Sequence, residues 1–142
     1  MTTPRTDPDD AAIAALVTTF FAAFTSGDDL PERMDDLRAA FLPGAVIVRT
    51  CGDLAVYDVE GFLAPRAELL TSGRLVGFRE WAEPGRTDRW GDVAQHVCSY
   101  AKEGVLDGVA FTGRGFKTLQ FVRTVEGWRI SAAAWDDERA AA

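Results

Sequence analysis

Gly113-Arg114-Gly115-Phe116-Lys117-Thr118-Leu119-Gln120-Phe121-Val122-Arg123-Thr124, a turn at Glu126-Gly127, then Trp128-Arg129-Ile130-Ser131-Ala132-Ala133-Ala134-Trp135-Asp136 decide the fold. Two runs rich in β-branched and aromatic residues, joined by turn chemistry, read as an antiparallel hairpin. Alternation by two sorts them into faces. One set holds Phe116, Thr118, Gln120 and Val122 with Arg129, Ser131, Ala133 and Trp135. The other holds Lys117, Leu119 and Phe121 with Trp128, Ile130, Ala132 and Ala134, and is the more apolar. If the first set faces a pocket, the second is the outer face, and Leu119, Phe121, Trp128 and Ile130 would leave a contiguous apolar patch in water. A symmetric homodimer through that face is therefore expected.

Working back toward the N-terminus, Arg74 to Glu83 and Trp90 to Lys102 read as two more long strands, with Pro84-Gly85 and Gly104 plus Asp107-Gly108 as separators. Before Gly73 the period changes. Ile13, Leu16, Val17, Phe20, Phe21 and Phe24 recur as the stripe of an amphipathic helix, capped by Asp9 or Asp10 and ended by Gly27. A second helix starts at Asp29-Leu30-Pro31 and stops at Pro43-Gly44. Ala45 to Thr50 and Leu54 to Tyr57 form a small hairpin across Gly52-Asp53, and Asp58 caps a third helix to about Ser72, with Pro65 inside it. Helices followed by a strand meander imply an α+β domain: helices on one face of a curved antiparallel sheet, forming a cone with an internal pocket.

Composition agrees. At 142 residues the chain reads as a single domain, 1–142, with 1–8 and 139–142 expected to be disordered. Hydrophobic residues at 47% and charged ones at 26% are globular values. A net charge of -7 argues against nucleic-acid binding, which rests on Lys and Arg displacing counterions. Cys51 and Cys98 are far apart, the polar N-terminus has no apolar signal core, and no run approaches a membrane span, so a cytoplasmic protein is expected. One histidine and no cysteine cluster lead us to expect neither a metal site nor a cofactor.

The order helix, helix, hairpin, helix, meander, closing on Gly127-Trp128-Arg129-Ile130 and Ala134-Trp135-Asp136-Asp137-Glu138-Arg139, resembles the nuclear transport factor 2-like superfamily. Phe62-Leu63-Ala64-Pro65-Arg66, Glu80-Trp81, Gly113-Arg114-Gly115 and Lys117 to Thr124 are similar to a branch of small bacterial proteins within it. That resemblance implies a pocket fold shared by ketosteroid isomerases, scytalone dehydratases, SnoaL-like polyketide cyclases, limonene epoxide hydrolases and pure binding modules. The isomerases' aspartate base would fall near Arg49-Thr50 and their protonated acid near Lys117-Thr118, and neither position is a carboxylic acid here. Of the epoxide hydrolases' Trp-Arg-Asp motif, Trp135-Asp136-Asp137 keeps the outline.

Several residues carry candidate chemistry. His96 shares a strand face with Ala94, Cys98 and Tyr100; it is a general acid or base, or a hydrogen-bonded sheet residue. Tyr57 donates to an oxyanion or fills the hairpin's apolar side. Arg49 and Arg66 clamp an anionic group or pair with acids such as Asp53 or Glu80. Thr118, Gln120, Ser131 and Trp135 suit a mostly apolar pocket with a few polar groups. Gly113 and Gly115 read as a bulge or bend, and Asp136-Asp137-Glu138 as a solvated tail. Two functions follow: a cofactor-independent lyase or isomerase acting on an apolar organic molecule through His96 and Tyr57, or a non-catalytic ligand-binding or dimeric interaction module.

Overall fold

Helices α1 (Pro8–Ala22), α2 (Leu30–Ala40) and α3 (Val59–Thr71) cover one face of a sheet built from β1 (Phe41–Arg49), β2 (Ala55–Tyr57), β3 (Leu75–Trp90), β4 (Val93–Leu106), β5 (Val109–Thr124) and β6 (Gly127–Asp137). The computed structural model describes residues 7–138. The expected disorder of 1–6 and 139–142 lies outside them; Asp7 and Pro8 do not share it. Asp7 caps α1 through its side chain, which accepts from the backbone N–H groups of Asp9 and Asp10, and Pro8 opens the helix. This frees Asp9 to accept from Arg123 Nη1 at 2.6 Å and Trp128 Nε1 at 3.1 Å, clamping the start of α1 onto β5 and β6. The Arg123 hydrogen bond, then that of Trp128, holds the Asp9 carboxyl below its ordinary pKa.

The strand order is β2-β1-β6-β5-β4-β3, an open sheet that does not close into a barrel. All neighbours are antiparallel except β1 and β6, which run parallel, so the sheet is mixed where uniform antiparallel pairing is expected from the sequence. Local turn chemistry reads only consecutive pairings, and β1 meets β6 across the length of the chain. Helix α2 passes into β1 at Phe41 without a loop, and Pro43-Gly44 lies in the irregular part of the β1–β6 register rather than at a helix end.

The β3–β4 turn also moves. Pro84-Gly85 is not a turn: β3 runs through it with a register shift between Ala82 and Gly85, and the chain reverses at Gly91-Asp92, where Trp90 faces Val93. β3 is an edge strand, so the N–H that proline lacks is not needed on its outer side. Asp107-Gly108 is a turn, with φ of 49° and 81°, the left-handed pair that a two-residue hairpin loop of the primed type requires.

The most consequential difference is a bulge. On β6, Ala132 faces Gln120 and Ile130 faces Phe121, leaving Ser131 as an extra residue. Parity inverts there. Trp128 and Ile130 share the helix-covered face with Ala133 and Trp135, not with Ala132 and Ala134 as strict alternation requires. That face is the inner one. Leu119, Phe121, Trp128 and Ile130 are 0%, 1%, 5% and 0% exposed beneath the chain's own helices, so the set assigned to an outer interface is the core. Above it Phe20, Phe24, Phe41 and Phe62 pack with ring centroids 5.3–6.4 Å apart. Among the described residues no helix is long and apolar enough to cross a membrane.

Gly113 and Gly115 produce no register break between β4 and β5. They are gaps on the inner face. A Cβ on Gly115 would stand 2.3 Å from the Tyr100 hydroxyl and 2.5 Å from the Asp136 carbonyl oxygen; one on Gly113 would meet only the flexible Lys102 stem, 2.8 Å from Cε. Gly115→Ala should therefore cost about 1–3 kcal/mol by overpacking, and Gly113→Ala should stay within about 0.5 kcal/mol. Urea unfolding of the two variants checks this, and equal costs would refute the gap reading.

Candidate functional site

A cavity of about 310 Å³ opens between α3 and the inner faces of β3 to β6. Phe24, Phe62, Leu70, Phe78, Phe111 and Trp135 form its apolar wall. Four charged side chains also reach it: Arg66 from α3, Glu80 from β3, Lys102 from β4 and Lys117 from β5. Gly104 keeps this end open. A Cβ there would press on Phe78 and Phe111 at 3.2 and 3.3 Å, where the two rings stack 6.2 Å apart.

Lys117 is 4% exposed and pairs with Glu80 at 3.0 Å, whose side chain is 12% exposed. Its ammonium lies 4.5 Å from the Phe20 ring centre, 4.8 Å from Tyr100 and 4.9 Å from Phe21, an aromatic cage around a desolvated cation. Beside it, Asp137 accepts from the Tyr100 hydroxyl and, at 2.9 Å, from Lys102 Nζ. Burial, then the hydrogen bond to Asp137, pushes the Tyr100 hydroxyl far above the usual tyrosine range, so it stays a donor. For Asp137 burial acts upward, but the Tyr100 and Lys102 hydrogen bonds outweigh it and hold the carboxyl below its ordinary value. The expected solvated tail is thus half of an internal network: β6 continues to Asp137, which faces inward because of the Ser131 bulge.

Arg66 completes the site. Its guanidinium lies 4.2 Å above Phe62, 5.2 Å from the Tyr57 ring and 5.3 Å from the Trp135 ring, and donates to the Phe62 carbonyl at 2.9 Å. Burial lowers its pKa, opposed by the neighbouring Tyr57 hydroxyl. Tyr57 stacks on Trp135 at 6.5 Å and 8° and forms one side of this aromatic bracket. Arg49, in register with Trp135 on β1, donates to the Asp53 backbone carbonyl at 3.2 Å rather than to its carboxylate.

The candidates taken from the sequence divide accordingly. Arg66 and Trp135 line the cavity, with Tyr57 and Arg49 adjoining. His96 is on the inner face but not in the cavity wall. It stands six residues from Lys102, roughly 20 Å along the strand. Its Nδ1 is 2.7 Å from the Thr87 hydroxyl, and burial lowers its pKa. Tyr57 and His96 therefore do not converge. Thr118, Gln120 and Ser131 lie on the opposite, outer side: Gln120 and Ser131 border a depression there with Trp90, Val93 and Val122. The strip was misplaced because the cavity lies on the other face of β5, that of Lys117, Leu119 and Phe121, while the β6 bulge brings only Trp135 of the strip round to that face. Glu80, Lys102, Lys117 and Asp137 were missed. Their signal is a charge at an inward position of an alternating strand, Lys117 ahead of Leu119 and Phe121, and Glu80 after Phe78. Among the described residues no group of three or more His, Cys, Asp or Glu could hold a metal ion.

Removing one member of the buried pair strands the other charge. Lys117→Met should cost about 3–5 kcal/mol, and adding Glu80→Leu should recover most of it. Denaturant unfolding of the single and double variants reads this; additive losses would mean that the pair is not coupled.

No protein-family model matches the chain, and no curated protein sequence does. Solved structures do match. An NTF2-like protein with a cystatin-like fold from Novosphingobium aromaticivorans aligns with TM-score 0.69 and 16% identity over 94% of this chain and 84% of that one. An NTF2-like protein of unknown function in nutrient uptake from Rhodospirillum rubrum aligns with TM-score 0.68 and 24% identity over 89% and 98%. A hexachlorocyclohexane dehydrochlorinase, LinA type 2, gives TM-score 0.74 and 15% identity over 92% and 85%. With its three helices on a curved six-stranded sheet, the chain has the NTF2-like α+β cone fold.

Proposed function

We propose that the chain binds a small, largely apolar organic molecule in the cavity and acts on it as a cofactor-independent lyase or isomerase. The observation that carries this reading is the Glu80–Lys117 pair, a carboxylate and an ammonium 3.0 Å apart on the wall of an aromatic pocket. The Glu80 carboxylate takes a proton from a substrate carbon. The C–H electron pair then forms a new double bond. In an elimination the leaving group departs with its own bonding electrons, and in an isomerisation Glu80 returns the proton to another carbon. Lys117 donates hydrogen bonds to the atom where negative charge gathers, in surroundings that screen it weakly. This assigns to Glu80 the acid–base part that the sequence offered to His96, while Tyr57 braces Arg66. At the level of fold, the dehydrochlorinase neighbour is compatible with a lyase.

The test is turnover. Once screening of apolar substrates with acidic C–H bonds finds a reaction, Glu80→Gln, which can still accept from Lys117, should lower kcat by about 10²–10⁴-fold with substrate affinity little changed. Ligand binding without turnover across the screen favours the binding-module reading.

The outer sheet face supports a proposal about assembly. Val46, Val56, Trp90, Val93 and Phe116 are 46%, 67%, 63%, 50% and 52% exposed, and the last three lie on adjacent strands. Two copies pairing through this face would bury them. Sedimentation at micromolar concentration should show a dimer, and Phe116→Glu a monomer; a monomeric parent protein would refute the pairing.

A further inference from the structure

The charges around the cavity do not balance. Glu80 is paired with Lys117, and Lys102 with Asp137 at 2.9 Å. Arg66 has no carboxylate within ion-pair distance among the described residues, although its guanidinium is pressed among three aromatic rings. Arg49, the second guanidinium of this region, also has no carboxylate partner; its Nε is buried without a hydrogen-bond acceptor, and its charge repels that of Arg66. Arginine does not shed its proton to escape burial. Every other charged group on the cavity wall has a counter-ion in contact with it, whereas Arg66 is attracted only from beyond ion-pair distance by Glu80, which is already bound to Lys117, so the contact anion absent at Arg66 is left to a ligand. The general field of the protein, with net charge -7, does not explain such a spot. It is local.

We propose that the cavity takes an apolar organic acid, its carboxylate received by Arg66 with Arg49 reinforcing the positive potential, and its body lying among Phe24, Phe62, Phe78 and Phe111. The guanidinium fork matches two carboxylate oxygens, and its unused N–H groups suit that contact. At about 310 Å³ the cavity is at the small end of ligand pockets, roughly 300–1,000 Å³. A single ring or fused pair bearing one carboxylate is the appropriate class. The head group would lie near Trp135, which places the body of the acid beside Glu80 and Lys117. This rests on the pocket reading above and specifies its ligand.

Calorimetric titration of the full chain with 2-naphthoate and with 2-naphthamide, the same ring system without the charge, tests it. The acid should bind about tenfold or more tightly than the amide, the difference expected for a charged hydrogen-bonded pair. Arg66→Gln should abolish the preference, so that acid and amide bind the variant equally, and its far-UV circular dichroism should match that of the parent protein. Arg66→Lys, which keeps the charge but not the fork, should fall between. Equal affinity of acid and amide in the parent protein, or retention of the preference in Arg66→Gln, overturns the acid proposal and leaves the apolar pocket standing. Binding of neither overturns both this proposal and the choice of cavity.

Discussion

An ammonium group on the buried face of a β-sheet has to be answered by an anion, and the placement of Lys117 dictates much of what surrounds it. Its answer is Glu80 on β3, and β4 lies between the two strands. Lys117 is in register with Cys98 and Glu80 with Lys102, so the lysine side chain crosses β4 diagonally, its ammonium lying against the Tyr100 ring at 4.8 Å. A second bridge lies beside it. Tyr100 on β4 reaches Asp137 on β6 because Gly115 of β5 leaves room beneath its hydroxyl. There a missing side chain on the inner face lets a long polar group span alternate strands.

These bridges tie the cavity floor together without filling it. The cavity exists because α3 closes over the β3 to β6 end of the sheet while Gly104 and Gly113 withhold side chains from its wall. Pro65 sits within α3, one residue before Arg66, whose side chain returns to the Phe62 carbonyl of the preceding turn. Helix α1, held at its start by Asp9 with Arg123 and Trp128, covers the other part of the core, where Ile13, Phe20 and Phe21 are buried. His96 is half-buried on the inner face outside the cavity wall, hydrogen-bonded to Thr87, and burial lowers its pKa.

The site therefore combines two electrostatic regimes. Lys117 with Glu80, and Lys102 with Asp137, are internally neutral and tie the floor together; among the described residues Arg66 and Arg49 have no carboxylate within ion-pair distance beside an aromatic wall. Neutral pairs hold geometry, whereas a guanidinium without a contact anion leaves a local positive potential. In a chain that is acidic overall, such a spot is produced by placement and not by composition.

Element types, the α+β class and most strand turns were legible in the sequence, because periodicity and turn chemistry act over a few residues. Asp58 capping α3, Asp107-Gly108 turning β4 into β5, and the aromatic stripe of α1 are all local signals. The inward charges were also written there, as Lys117 and Glu80 at apolar positions of alternating strands. What the sequence could not provide was the face. Ser131-Ala132-Ala133-Ala134 has no alternation, so nothing in it betrays the bulge that turns Trp135 and Asp137 inward. The parallel pairing of β1 with β6 and the continuation of β3 through Pro84 were equally unreadable, since both depend on partners far along the chain. A strand's face is set by what covers it, so the separation of His96 from Tyr57, and the meeting of Arg66, Glu80 and Lys117, were decided by tertiary packing alone.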